Sequence, residues 1–292
     1  LSSSDIFELA SISKQFTAMM IMMCKEKGLL IYDELVEKYL NLPYKGITIR
    51  NILTHTSGLP DYQKVMDENW DKSKVAGNTE ILEYLNIYEP EMIFTPGEKY
   101  EYSNTGYVLL ASIVEKVTGE DFVELSRKWI FEPLKMTNTS IRTNQEKKEL
   151  NNLAYGHKKD SLGRFVNATN FLSSNYTIWL GNRKGPGRVS SNVFDLLLWD
   201  KALYGETLVS KKTLNEAFTP YKLNNGKISF YGFGWRLNKD SNNKIVSHSG
   251  SNPGYKTRII RLLDEKKTIV ILSNNDFYLN EIEEKLIEAL SN

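Results

Sequence analysis

The sequence predicts an α+β fold in which an antiparallel sheet flanked by helices adjoins a mainly helical lobe. Three observations lead there. The stretch from Ser13 to Lys27 is apolar almost all round and stops at Gly28, which describes a helix buried between layers. The middle of the chain reads mostly as helices. Strand-like runs gather late and are followed by one amphipathic helix.

Taken in order, further helices are expected from about Asp33 to Leu40, Thr48 to Thr54, Thr79 to Ile87, Thr105 to Val117, Phe122 to Trp129 and Asn192 to Leu203. Strands are expected over Ile228 to Leu237, Lys244 to Ser247, Lys256 to Leu263 and Thr268 to Ser273. Residues 264–267, all charged, turn the last two, so the strands form a meander. A final helix from Leu279 to Leu290 places Leu279, Ile282, Leu286 and Ala289 on one face, suited to cover that sheet. The 292 residues read as a single domain, with a helical lobe over about 30–215 and an α/β lobe over 1–29 plus 216–292. A cleft is expected where the lobes meet.

Composition narrows the function. Hydrophobic residues at 41% and charged residues at 25% describe a chain that buries a core and exclude a disordered or low-complexity one. Lys+Arg 37 against Asp+Glu 36 leaves no field to gather nucleic acid or an anionic membrane. The longest apolar run, Phe16 to Cys24, falls short of the roughly 20 residues that span a bilayer. Cys24 is the only cysteine, so it forms no intrachain disulfide and reads as a small buried hydrophobe. His55, His157 and His248 are far apart and have no ligand-spaced partners, which leaves zinc without support. Phosphate-loop and dinucleotide fingerprints are missing, and Gly185-Pro186-Gly187 is too short to be one. No metal and no cofactor is expected.

One local pattern carries chemistry. Ser11-Ile12-Ser13-Lys14 is an S-x-x-K at the mouth of the buried helix, and three residues bring Ser11 and Lys14 onto nearly one face. A desolvated lysine can take the proton that keeps a serine hydroxyl weakly nucleophilic. A serine before an apolar run also commonly just caps a helix. The pattern recurs from Ser241 to Lys244 in a polar loop, and Y-x-N occurs at Tyr39, Tyr84, Tyr102 and Tyr278. Spacing alone does not choose among them.

The wider context does. Residues 7–18, around Ser11 and Lys14, resemble the nucleophile segment of the serine β-lactamase-related and penicillin-binding hydrolases, a group with class C β-lactamases, D-aminopeptidases and esterases. Asn51-Ile52-Leu53-Thr54-His55-Thr56-Ser57-Gly58-Leu59-Pro60 resembles another segment of that family. Tyr102-Ser103-Asn104 is similar to its Y-S-N motif, and the stretch from Gly187 to Leu203 to a third shared segment. His248-Ser249-Gly250, followed by Ser251, resembles the H-x-G form of its last motif. The matches fall in the family's order.

The resemblance implies the β-lactamase/transpeptidase-like fold and an acyl-enzyme mechanism. It assigns Ser11 as nucleophile, Lys14 as its proton acceptor, Tyr102 as a second acid/base member and Asn104 as a hydrogen-bonding partner of Lys14 or of the substrate amide. It places His248, Gly250 and Ser251 at the substrate, with the N–H groups of Ser11 and Ser251 as the oxyanion hole. An ammonium at Lys14 is expected to favour the Tyr102 phenolate. His55 reads as structural.

The implied partner is a peptide or small molecule, first a D-amino-acid peptide, then a small ester, then a β-lactam. A protein on the same fold that binds penicillin or cell-wall peptides without turnover is the alternative. Histidine where classical β-lactamases carry lysine favours peptidase or esterase work over efficient penicillin hydrolysis. The resemblance favours the cell envelope and implies strands ahead of Leu1 that would cover the edge beside Thr268 to Ser273. Gly187-Arg188 stands where the family has two glycines, so Arg188 carries backbone strain, or its guanidinium reaches the cleft.

Overall fold

In a computed structural model the described residues are 1–239, 244–277 and 279–291, so Ser241 and Tyr278 lie outside them. The helices are α1 (Ser13–Glu26), α2 (Ile49–Leu53), α3 (Tyr62–Asn69), α4 (Asn78–Tyr88), α5 (Asn104–Thr118), α6 (Phe122–Ser126), α7 (Asn144–Lys148), α8 (Tyr176–Trp179), α9 (Val193–Ala202), α10 (Lys211–Ala217) and α11 (Asn280–Ser291). The strands are β1 (Phe7–Glu8), β2 (Ser140–Ile141), β3 (His157–Lys159), β4 (Phe165–Asn167), β5 (Val189–Ser191), β6 (Tyr221–Lys222), β7 (Ile228–Ser229), β8 (Arg236–Leu237), β9 (Ile245–Asn252), β10 (Tyr255–Leu262) and β11 (Lys267–Ser273). The fold is mixed α+β. No helix among the described residues is long and apolar enough to cross a membrane.

α1 forms the centre because its apolar residues leave no polar stripe. Every residue from Ser13 to Cys24 is buried, and the helix packs along α5. Phe16 stacks at 4.6 Å on Trp199 of α9, whose indole N–H donates to Gln15. Trp235 and Cys24 are buried in the same core, and burial pushes the Cys24 thiol up to about 12.

The main sheet is the expected antiparallel meander, in the order β11-β10-β9-β8, with His248 opposite Ile259 and Ser251 opposite Lys256. A smaller sheet, β1-β5-β2, was not legible in the sequence. The two meet at the turn that leads into α1: Leu9 N–H donates to the Val189 carbonyl, and the Thr257 hydroxyl donates to the Leu9 carbonyl.

Several local expectations change. Residues 33–40 make only a 3₁₀ turn, Val36–Lys38, because the backbone pairs instead with residues 47 and 48: Val36 N–H donates to the Ile47 carbonyl. The expected strand Ile228 to Leu237 is broken into β7 and β8. Between them Gly234 adopts φ +78°, and its Cα lies so close to α1 that a Cβ would come 2.9 Å from the Gln15 Cα. The helix from Phe122 ends at Ser126 and continues as a π turn, Arg127–Phe131. α3 and α10 were not expected, although Asp61 and Ser210 cap them with side-chain acceptors. On α11 it is Ile287 that packs against the Ile260, Leu262 and Ile269 cluster, whereas Ile282 and Leu286 are exposed. The strand bearing His248 runs on from Ser247 through Asn252, so the H-S-G-S segment is sheet and not loop.

Candidate active site

Ser11 sits in a 3₁₀ turn, Ala10–Ile12, that runs directly into α1. Residues three apart eclipse in such a turn. Lys14 therefore rises beside Ser11, with its Nζ 3.1 Å from the Ser11 Oγ. Neither the turn nor α1 receives a side-chain cap, so Ser11 is not used as one. Ala10 ahead of it is held at φ +50°, a conformation costly for a residue with a Cβ.

Lys14 is wholly buried, and two further oxygens meet its amine: Asn104 Oδ1 at 2.8 Å and the Pro186 carbonyl at 2.9 Å. Burial holds its pKa well below the ordinary range, and the Arg183 guanidinium pushes the same way. Both sources act against an ammonium. A neutral amine has two N–H donors and one lone pair. Asn104 Oδ1 and the Pro186 carbonyl can only accept, so they take the two donors, and the lone pair is left for the Ser11 hydroxyl proton. The arrangement suits a base.

Tyr102 and Asn104 are positioned by the entry to α5, where the Ser103 hydroxyl accepts from the Gly106 N–H. The Lys14 Nζ lies 4.8 Å from the Tyr102 ring centroid, over its face. Burial raises the Tyr102 pKa, and the Ser11 side chain opposes that shift. The expected phenolate is therefore not favoured, because burial penalises the charged form of the ring. Tyr102 is a phenol here.

The fold also joins two histidines that the sequence keeps apart. His55, at φ +56°, accepts the Ser103 N–H on Nδ1 and stacks 4.3 Å from Tyr102 and 4.5 Å from Tyr231. Behind the site the His248 Nδ1 donates to the Ser249 carbonyl, which leaves Nε2 to accept the Tyr231 hydroxyl at 2.8 Å. Burial lowers His248 to about 3, so the ring is neutral at ordinary pH. Both nitrogens are engaged.

The cleft at Ser11 is walled by Asn104, Tyr176, Arg183, Pro186, Gly187, Ser251 and Asn252. Of the three residues expected at the substrate, Ser251 lines it, while His248 is outside its lining, buried against Tyr102 and Tyr231. Gly250 lies beneath the nucleophile turn: a Cβ there would come 2.1 Å from Thr257 Oγ1 and 2.2 Å from the Leu9 carbonyl oxygen. Gly250→Ala is expected to destabilise the fold by about 1–3 kcal/mol through overpacking. Denaturant unfolding measures this, and an unchanged midpoint would contradict the close approach.

Arg183 was missed at the level of sequence, as were the Pro186 carbonyl and Tyr231. A backbone acceptor has no residue code, and Arg183 belongs to no recognisable motif. Because Arg183 opposes the Lys14 ammonium, Arg183→Gln is expected to raise the Lys14 pKa. The acid limb of Ser11 reaction with a fluorophosphonate should then move to higher pH; a limb that stays in place rules out that coupling. Among the described residues no group of three or more His, Cys, Asp or Glu side chains is gathered to hold a metal.

Residues 2–289 match the family model described as Beta-lactamase. Penicillin-binding protein 4* of Bacillus subtilis (strain 168) is 42% identical over 280 residues, which cover 94% of this chain and 62% of that protein. Among solved structures, the octameric penicillin-binding protein homologue from Pyrococcus abyssi has a TM-score of 0.80 at 31% identity, over 95% of this chain and 64% of that one. D-amino acid amidase from Ochrobactrum anthropi SV3 has a TM-score of 0.80 at 23% identity, over 100% of this chain and 86% of that one, a likeness of fold alone. The chain thus spans somewhat less than two thirds of the length of its 42%-identical relative.

Proposed function

The chain belongs to the Beta-lactamase family, and from that premise we propose that it is a serine hydrolase that opens an amide or ester bond through an acyl-enzyme on Ser11. One observation carries the reading: a buried Lys14 amine, disfavoured as an ammonium, 3.1 Å from the Ser11 Oγ and anchored by Asn104 Oδ1 and the Pro186 carbonyl.

The steps follow from these groups. The Ser11 proton passes to the Lys14 Nζ as Oγ bonds to the substrate carbonyl carbon, whose oxygen becomes an oxyanion. The N–H groups of Ser11 and Ser251 hold that charge. The intermediate expels the amine or alcohol, which takes a proton from the Tyr102 phenol, and the Lys14 ammonium returns the proton to Tyr102. The same burial that disfavours the Lys14 ammonium makes it a ready acid once formed. Water then attacks the ester carbonyl while Lys14 again accepts a proton, and the Lys14 ammonium returns it to the Ser11 Oγ as the acyl C–O bond breaks and the carboxylic acid leaves. Asn104 fixes the amine. His248 and Gly250 support the strand that presents Ser251, with His248 neutral and bound to Tyr231.

A D-amino-acid amide or peptide is the first substrate class, in keeping with the amidase whose fold this chain shares; a small ester is second and a β-lactam third. The test is intact mass after exposure to a serine-reactive fluorophosphonate. One adduct on the 33.6 kDa chain, absent from Ser11→Ala, is expected. No adduct on the unaltered chain overturns the reading, and an adduct with no turnover of any amide or ester moves it to covalent capture alone.

A further inference from the structure

Three residues with a Cβ are held at positive φ near Ser11: Ala10, His55 and Arg188. Arg188, at φ +78°, is strained, and its side chain reaches the cavity beside the cleft, where Nη2 donates to the Arg142 carbonyl. His55 is wholly buried, and the steps above leave its ring unused. It ends α2: the His55 N–H donates to the Ile52 carbonyl and the Thr56 N–H to the Asn51 carbonyl, a pair of bonds that calls for left-handed backbone at His55. Glycine supplies that without strain, and asparagine comes next. The cap therefore accounts for the φ of +56° and not for an imidazole.

What the imidazole does is visible at Tyr102. Both peptide N–H groups that flank that residue are taken by His55: the Glu101 N–H donates to the His55 carbonyl at 2.8 Å, and the Ser103 N–H donates to Nδ1 at 3.1 Å. The imidazole also lies 4.3 Å from the Tyr102 ring. Backbone and side chain of one residue thus bracket Tyr102 just before α5 begins. The Thr56 and Gly58 carbonyls accept from the Gly97 and Ile93 N–H groups, but these bonds hold the loop ahead of Tyr102 and not Tyr102 itself. To accept, Nδ1 keeps its lone pair, which puts the ring proton on Nε2, and burial holds the ring neutral. Without that acceptor the Ser103 N–H is buried and unpaired, and the segment relieves the cost by shifting, which carries Tyr102 with it.

We propose that His55 is a positioning residue for acyl transfer: by accepting the Ser103 N–H on Nδ1 it fixes the Tyr102 phenol where it protonates the leaving group. This role deepens the acyl-transfer reading of Ser11 and rests on it. It is tested without a known substrate, by the rates at which matched diphenyl and bis(para-nitrophenyl) methylphosphonates label Ser11, followed by intact mass. With either reagent the Ser11 Oγ bonds to phosphorus, one aryl P–O bond breaks, and the Ser11 proton goes to Lys14. The para-nitrophenoxide departs as the anion. Unsubstituted phenoxide, a poorer leaving group, departs with the Tyr102 proton, which the Lys14 ammonium replaces. The ratio of the phenyl to the nitrophenyl rate therefore reads the position of Tyr102.

His55→Phe keeps a ring and loses the acceptor, while His55→Gly takes positive φ freely and loses both. Each is expected to lower that ratio by about tenfold or more. His55→Asn suits the cap and offers Oδ1 to the Ser103 N–H, so it is expected to restore the ratio to within about threefold. In Tyr102→Phe protein the ratio should already be low and should fall no further when His55→Gly is added, because His55 acts through Tyr102. A ratio unmoved by His55→Phe and His55→Gly overturns the proposal, as does a further fall in the Tyr102→Phe background. An asparagine variant no better than the glycine one also overturns it, since loss of packing alone would follow ring volume. If His55→Phe, strained at that φ, does not fold, His55→Gly and His55→Asn decide the matter. A fluorophosphonate labels Ser11 without calling on Tyr102, so failure of the nucleophile in the unaltered chain is read separately from failure of this role.

Discussion

Ser11→Ala is expected to lower kcat/KM for amide or ester substrates by at least about 10³, with little change in the unfolding midpoint. The size follows from what alanine removes. Without Oγ no covalent intermediate forms, and the Lys14 amine loses the hydroxyl that lies 3.1 Å from its Nζ. What survives is binding and any oxyanion stabilisation offered to adventitious water. Stability is little affected because Ser11 caps no helix and is only half-buried. Steady-state rates on a chromogenic D-amino acid anilide, beside a melting curve, decide the matter. A variant that hydrolysed at the rate of the unaltered chain would remove the central claim, and one that failed to fold would contradict the structural part of it.

Lys14→Met is expected to reduce acylation of Ser11 by about 10²–10⁴, the range for loss of a positioned general base. It should also change how stability depends on pH. The Lys14 pKa is depressed in the folded chain relative to an ordinary value near 10.5. Between the folded value and 10.5 the unfolded chain binds the extra proton, so stability rises with pH through that window and is lost as pH falls. Methionine has no proton to bind and should flatten that rise. Denaturant unfolding at several pH values between neutrality and 10 reads the slope, and fluorophosphonate labelling reads the acylation rate. If the slope of the unaltered chain were already flat, Lys14 would be an ordinary ammonium and the direction of proton transfer drawn above would fail.

Much of the fold was legible because it is written in short-range periodicity. α1, α4, α5 and α9 lie where apolar spacing put them, and the late strands pair in the expected meander. The failures share a cause. Residues 33–40 have the composition of a helix but give their backbone to residues 47 and 48, and the run from Ile228 is broken where Gly234 presses on α1. In each case a partner remote in sequence, or across a turn, outbid local preference.

By itself the sequence determined which side chains stand close along the chain: Ser11 with Lys14 one turn apart, and Tyr102 with Asn104 at a helix entry. These are consequences of fixed helical repeats, and they need no knowledge of what packs around them. Only the tertiary structure decided the charges and directions. Lys14 is disfavoured as an ammonium because the core excludes water and because Arg183 repels a proton, while Asn104 and Pro186, 90 and 172 residues away, hold its amine in place. Burial likewise keeps Tyr102 a phenol, and the His248 Nε2 meets the Tyr231 hydroxyl, a partner 17 residues away that only the fold brings to it. Spacing places a group, but its proton is governed by the dielectric and the neighbours that the whole chain assembles around it.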